Sequence, residues 1–137
     1  MLPHLPAKLL STLLLVCLAA PLLSACGSGA QASNGAPAAV EAYLNALVKQ
    51  DANQMANLSC KAWEAQAQTE LDSFAAVTLT LDSPKCQAAG TDGDYTLVSC
   101  SGKIVANYNG ENQEISLSDR TFQALQEGGE WRMCGYH

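Results

Sequence analysis

The chain has 137 residues with 13 acidic and 7 basic side chains, which gives a formal net charge of −6 at pH 7. Proteins that bind nucleic acids present a basic surface to the phosphates, so this charge balance excludes that class. No stretch recurs at a fixed interval, which excludes repeat architectures.

The first 25 residues have the layout of a secretory signal peptide. Lys8 is the only Lys, Arg, Asp or Glu residue before an apolar run that ends at Ala25. A charged start, an apolar segment and small residues before the cut are typical of such signals. The alternative is a transmembrane anchor, which needs about 20 apolar residues. Pro21 and the small residues after it disfavour that alternative.

A cysteine directly follows the predicted cut. Leu23, Ser24, Ala25 and Cys26 resemble the lipobox of bacterial lipoproteins. The resemblance implies that cleavage follows Ala25 and that Cys26 carries a lipid. The protein would then be anchored in the cell membrane or outer membrane of a bacterium, facing the periplasm or the exterior. A competing cut after Ala30 would discard Cys26 and release a freely secreted protein.

The remaining chain divides into a linker and one domain. Residues 26–37 are mostly Gly, Ser, Ala, Gln and Asn, a composition typical of a flexible linker. Residues 38–137 suffice for one small hydrophobic core and are too few for two domains. The predicted organisation is therefore a signal peptide (1–25), a lipidated cysteine with a linker (26–37) and a single domain (38–137).

The first half of the domain shows the periodicity of helices. Pro37 suits the first turn of a helix, and an apolar stripe follows it at helical spacing. Asp51 and Gln54 resemble a capping box that starts a second helix. A third helix is predicted at about residues 62–74. The stripes of the first and third helices are Val40, Tyr43, Leu44, Leu47 and Val48, and Trp63, Ala67, Leu71 and Phe74.

The second half shows the alternation of strands. Val77, Leu79 and Leu81 alternate with threonines. Asp-Gly, Asn-Gly and Gly-Gly turn signals then separate four predicted strands, at about residues 76–90, 94–108, 112–126 and 130–136. Helices followed by hairpin-connected strands predict an α+β domain, with N-terminal helices packed on a curved four-stranded antiparallel meander sheet.

The same segments resemble a known fold family. Tyr43-Leu44 in the opening helix, Cys60, and the closing Gly-Gly-Glu-Trp-Arg-Met-Cys at residues 128–134 are similar to the cystatin-like, nuclear-transport-factor-like α+β roll. Among proteins with that roll, the chain looks like small bacterial lipoproteins of unknown function. The resemblance covers nearly all of the domain and implies a fold rather than an activity.

Four cysteines remain once Cys17 leaves with the signal and Cys26 is lipidated. In an oxidising compartment, four cysteines suffice for two disulfides. Their wide spacing disfavours a zinc site, whose cysteines come in close pairs. We therefore predict disulfides, and no metal or cofactor.

The predicted first hairpin suggests how these cysteines pair. Cys86 and Cys100 are each seven residues from Gly93, which places them opposite each other and leaves Cys60 to pair with Cys134. A bulge started by Pro84 would turn Cys86 to the other face. In the alternative connectivity, Cys60 pairs with Cys86 and Cys100 pairs with Cys134. The Cys100–Cys134 bridge would have to join the second predicted strand to the fourth, which are not adjacent.

The histidines narrow the range of chemistry. His4 lies in the signal and His137 is the last residue, so the body of the domain has none. Histidine is the usual general base near neutral pH, and Ser-His and Cys-His nucleophiles depend on it. We therefore predict no catalytic residue and no enzymatic activity.

Relatives of the resembled fold nevertheless include isomerases, dehydratases and cyclases, which use side chains lining the cone between helices and sheet. Tyr43, Trp63, Tyr108 and Asp119 are the residues whose types could line such a pocket here. Core packing is the favoured alternative, because a small domain needs its aromatic side chains to fill the interior.

Two functions follow from these alternatives. The favoured one is a non-enzymatic, lipid-anchored binding or scaffolding domain. Its partner would be another envelope protein, bound through the sheet face or an exposed edge strand. The other is an isomerase-like or cyclase-like pocket for a small molecule.

The lipid anchor gives the first prediction. Cys26→Ser removes the sulfur that would carry the lipid, so we expect the protein to move from the detergent phase to the aqueous phase and to escape cleavage after Ala25. Phase partitioning and the mass of the N-terminal peptide measure both effects. Continued cleavage after Ala25 with continued membrane partitioning would contradict the prediction.

Overall fold

The computed structural model describes the backbone of residues 28–137 and the side chains of residues 35–137. The predicted signal peptide, its cleavage site and Cys26 lie outside the described residues. No described helix is long and apolar enough to cross a membrane. The predicted division into signal, lipidated linker and domain therefore stays a prediction.

Within residues 28–137, three helices precede five strands, and a short 3-10 turn separates the third strand from the fourth. The helices are α1 (Ser28–Val48), α2 (Ala52–Leu58) and α3 (Glu64–Ser73). The strands are β1 (Thr78–Asp92), β2 (Tyr95–Tyr108), β3 (Glu111–Ser116), β4 (Thr121–Glu127) and β5 (Glu130–Tyr136). Every strand pair is antiparallel, and α1 packs across β1, β2, β4 and β5. The predicted α+β class, with N-terminal helices packed on an antiparallel sheet, is confirmed.

The first helix begins earlier than predicted. Its backbone is helical from Ser28 and contains Pro37 in its interior, so residues 28–37 of the predicted linker are helical. Alanine and glutamine are compatible with a helix, and tertiary contacts extend into this segment. Ala36 is fully buried in the core. Gly35 lies against the indole of Trp131, at the start of β5.

The other helix predictions agree with the structure. Tyr43, Leu44 and Leu47 are fully or almost fully buried on the inner face of α1. The Oδ1 atom of Asp51 accepts a hydrogen bond from the backbone N–H of Gln54 at 3.0 Å, as in a capping box. The side chain of Gln54 returns a bond to Oδ2 at 2.9 Å.

The predicted third strand, residues 112–126, is two strands. A 3-10 turn at Leu117–Asp119 interrupts it, and the sheet therefore has five strands instead of four. Ser116 caps this turn by accepting a hydrogen bond from the N–H of Ser118, and Leu117 is buried. As a result, β3 pairs with the second half of β2, and β4 pairs with the first half and with β5.

The structure pairs the cysteines as predicted. Cys86 faces Cys100 across β1 and β2 with a Cα–Cα distance of 4.1 Å. Cys60 lies at the end of α2 and bridges Cys134 in β5 with a Cα–Cα distance of 5.1 Å. The second bridge joins the helical layer to the last strand, 74 positions along the chain.

The register of the first hairpin depends on one extra residue. The turn pairs Asp92 with Tyr95, and a shift between Ala88 and Gly90 leaves Ala89 unpaired. Without that shift, the same turn would place Cys86 opposite Ser101. The irregularity suspected near Pro84 is present between Asp82 and Lys85. This irregularity is farther from the turn than Cys86, so it does not change which residue lies opposite Cys86.

Gly35→Ala tests the packing of α1 on Trp131. In an open helix this change stabilises by about 1 kcal/mol, but here the added Cβ would lie 2.6 Å from the indole Nε1. Overpacking costs about 1–3 kcal/mol. We therefore expect the free energy of unfolding, measured by urea denaturation, to fall.

The control is the same substitution in a Trp131→Leu background. Removing the indole removes the collision, so Gly35→Ala should then be neutral or stabilising. A stabilising effect of Gly35→Ala in the wild-type background would show that the helix is not held against Trp131.

Candidate functional site

One carboxylate lies at the meeting point of three elements. Tyr43 in α1 donates its hydroxyl hydrogen to Oε2 of Glu70 at 2.6 Å. Tyr136 in β5 donates to Oε1 of Glu70 at 2.5 Å. The indole Nε1 of Trp63 donates to the hydroxyl oxygen of Tyr43 at 3.2 Å. Together Tyr43, Trp63, Glu70 and Tyr136 form what we call the Glu70 cluster.

The position of Glu70 follows from helical geometry. It is three residues after Ala67 and seven after Trp63, so it lies on the edge of the buried stripe of α3. Its side chain can therefore turn inward between α1 and β5. No described buried side-chain nitrogen or oxygen lacks a hydrogen-bond partner.

The last strand brings Tyr136 to the cluster and lets Trp63 approach closely. Gly135 has a positive φ of 114°, and a Cβ added there would lie 3.0 Å from the Trp63 ring. The Trp63 and Tyr136 rings meet edge to face, with centroids 5.6 Å apart. Phe122 also packs on Tyr136, at 5.4 Å between centroids. The aromatic rings therefore pack as a single group around the carboxylate.

Burial raises the pKa of both tyrosines in the cluster. The pKa of Tyr43 lies well above its usual range, first because the hydroxyl is buried and then because Glu70 is adjacent. The pKa of Tyr136 is raised for the same two reasons, in the same order. Both hydroxyls therefore remain protonated and act as hydrogen-bond donors to the carboxylate.

The space beside the cluster is small. A cavity of about 40 Å³ is lined by Glu70, Tyr136, Arg120 and apolar side chains from α1, α3 and the sheet. The guanidinium carbon of Arg120 lies 4.8 Å from the centre of the Tyr136 ring. Pockets for small ligands usually measure about 300–1,000 Å³. The cone between helices and sheet is therefore nearly filled.

The structure brings together two of the four candidate pocket residues. Tyr43 and Trp63 are hydrogen-bonded in the interior. Tyr108 is 54% exposed at the end of β2. Asp119 is exposed in the 3-10 turn and lines a different, shallow groove. Tyr108 and Asp119 therefore do not line the cavity beside the Glu70 cluster, because their side chains are exposed to solvent, although Leu117 of the same 3-10 turn does line it.

The sequence interpretation missed Glu70, Arg120 and Tyr136. Glu70 did carry a signal, since an acidic residue beside the apolar stripe of an amphipathic helix is either exposed or held by specific donors. Tyr136 and Arg120 carried none, because their position depends on how β4 and β5 fold back on the helices. Among the described residues, no group of three His, Cys, Asp or Glu side chains could hold a metal ion.

No protein-family model matches the chain, and no curated protein matches it. Among solved structures, the chain is similar to the 1.8 Å structure of Aln2 from a Streptomyces species. The two share 11% sequence identity and a TM-score of 0.46, over 75% of this chain and 85% of that chain. We draw no functional argument from a likeness at this level.

Glu70→Gln tests the structural role of the cluster. The two tyrosine hydroxyls donate to different oxygens of Glu70, and the amide replaces one of these oxygens with an NH2 group that can only donate, so one tyrosine hydroxyl loses its acceptor. Hydrogen bonds to charged groups contribute about 1.5–3 kcal/mol. We expect urea denaturation to show a loss of about 1.5–3 kcal/mol of unfolding free energy.

Glu64→Gln is the matched control, because it makes the same change in the exposed first turn of the same helix. Its effect should stay below about 1 kcal/mol. Equal effects of the two substitutions would contradict the structural importance of Glu70.

Proposed function

We propose that this protein is a lipid-anchored domain of the bacterial envelope that binds or scaffolds another envelope protein and catalyses no reaction. The observation that carries the proposal is that both oxygens of Glu70 are engaged in internal hydrogen bonds. One oxygen accepts a hydrogen bond from buried Tyr43 and the other from half-buried Tyr136, beside a cavity of about 40 Å³. A catalytic carboxylate needs a free oxygen and space for a substrate.

Few residues lie between Cys26 and the packed part of α1, so a lipid on Cys26 would hold the domain on a short tether. Only residues 27–34 separate Cys26 from Gly35, which already packs on Trp131. If Cys26 carries a lipid, the domain stands close to the membrane surface. The described surface would then be offered to other proteins of the same membrane.

A pocket for a small molecule is the second candidate. The observation in its favour is the convergence of half-buried Glu70 and Tyr136 and exposed Arg120 on one cavity, since converging charged and hydroxyl groups are candidates for catalytic roles. A ligand would have to displace the lining side chains, because the existing cavity has room for little more than a water molecule.

Crosslinking in intact cells tests the first proposal against the second. Tyr136→Phe removes a hydroxyl from the cluster and keeps the ring, whereas Cys26→Ser removes the predicted anchor. We expect a crosslinked complex with another envelope protein, recovered through a C-terminal tag. The complex should persist in Tyr136→Phe and disappear in Cys26→Ser.

Native mass spectrometry of the purified protein is the companion measurement. A retained small molecule that Tyr136→Phe releases would favour the pocket over the scaffold. Absence of any crosslinked complex in the wild type would contradict the proposed function.

A further inference from the structure

Two of the three outer strand edges are protected. The Cys86 N–H of β1 donates to Oε1 of Glu41 at 2.9 Å, and β1 is further interrupted by two register shifts and Pro84. On the other side of the sheet, the Cys60 N–H donates to the Met133 carbonyl of β5 at 2.8 Å. Bulges, proline and covering segments are the devices that prevent strand edges from pairing.

The third edge, that of β3, has the charged side chains of Glu111 and Glu114 but neither a bulge nor a proline. Its six residues pair with β2 in unbroken register, from Lys103 opposite Ser116 to Tyr108 opposite Glu111. Within residues 28–137, no strand pairs with the other side of β3.

The turn determines which backbone groups point outward. Two residues join Tyr108 to Glu111, so these form a hydrogen-bonded pair, and alternate residues of β3 direct their N–H and C=O groups to β2. Asn112 and Glu114 therefore direct theirs to the open side. These donors and acceptors have no strand partner among the described residues, so they could pair with an added strand.

A shallow groove of about 450 Å³ runs beside this edge. Its charged lining residues are Asp82, Lys103, Glu114 and Asp119, three acids against one base. Lys103 forms a salt bridge with Glu114, with Nζ and Oε1 2.6 Å apart. In the part of the chain described by the structure, Asp82 and Asp119 form no salt bridge. The groove therefore has an unbalanced negative charge.

The edge and the groove belong to one surface. Glu114 and Lys103 have their side chains on the same face of the sheet, since successive side chains of a strand alternate between faces. A residue of an added strand that lies opposite Glu114 directs its side chain to that face. A basic side chain at such a position would reach the groove.

We infer that the open edge of β3 binds an extended segment of another envelope protein, whose Lys or Arg side chain enters the acidic groove. This inference rests on the proposed binding function and names its surface and the chemistry of its partner. A second copy of the chain fits less well, because pairing two β3 edges brings Glu111 and Glu114 together with their counterparts. Like charges on paired strands are destabilising.

The test places the photocrosslinking residue p-benzoylphenylalanine in the full-length, membrane-anchored protein in cells. Gln113 is exposed on β3 and reports on the open edge, and Gln66 on α3 and Asp94 in the β1–β2 turn report on other surfaces. We expect Gln113 to crosslink to an extended segment rich in Lys or Arg, identified by mass spectrometry.

Two sets of variants then test the two parts of the surface. Glu114→Pro removes an outward N–H at an edge position that tolerates proline, and Glu114→Gln controls for the lost charge. Asp82→Asn with Asp119→Asn removes the unbalanced charge of the groove, and Asp92→Asn with Asp94→Asn is the matched control. We expect Glu114→Pro and the groove pair each to lower the Gln113 crosslink about tenfold, Glu114→Gln to lower it only about threefold because it removes one of the groove's acids, and the Asp92/Asp94 control to change it less than about twofold.

Each contrary result has a definite meaning. A crosslink from Gln113 to a second copy of the chain, to an acidic segment or to nothing overturns the inference. If Gln66 or Asp94 crosslinks to a partner while Gln113 does not, only the β3 surface is wrong and the binding function stands. If no position crosslinks to any protein, the proposed function fails as well.

Discussion

The fold depends on a single carboxylate held between three elements. Glu70 in α3 accepts hydrogen bonds from Tyr43 in α1 and from Tyr136 in β5. Glu70 is half-buried, and a carboxylate that is partly removed from water is costly unless its oxygens accept hydrogen bonds. The helical layer and the last strand must therefore keep the one relative position in which both hydroxyls reach it. Trp63 extends the same network by donating to Tyr43.

The remaining contacts between helices and sheet reinforce this arrangement. The Cys60–Cys134 bridge closes a loop of 74 positions, for which chain entropy predicts about 4 kcal/mol of stabilisation. Each tryptophan packs against a glycine of the opposite layer, Trp131 on Gly35 of α1 and Trp63 on Gly135 of β5. A side chain at either glycine would push the layers apart. The close approach of helices and sheet leaves little interior volume.

The polar groups of the interior bond to one another, whereas some polar groups of the described surface have no such partner. In an open cone, Glu70 and the two tyrosines would be candidates for acid-base chemistry, but here their hydrogen-bonding groups are used on one another. Asp82 and Asp119 in the groove beside β3 form no salt bridge among the described residues, in contrast to the internally used groups of the cluster. The same chain thus uses the polar groups of the Glu70 cluster for internal hydrogen bonds and leaves backbone groups of β3 without a strand partner.

The amino-acid sequence by itself determined the class of fold, the faces of α1 and α3 and the Asp51 cap, because each depends on local periodicity. The cysteine pairing predicted from the distance to a turn, with Cys60 and Cys134 left over, agrees with the structure. The pairing of Cys86 with Cys100 also required the unpaired Ala89, which no sequence signal indicated. Only the tertiary structure decided that the predicted third strand breaks at Leu117, that α1 extends back to Ser28, and that Tyr108 and Asp119 are exposed to solvent. It also brought Glu70 to Tyr136, 66 positions away. These features depend on contacts between distant segments, and a pattern of neighbouring residues contains no information about which distant side chain will meet them.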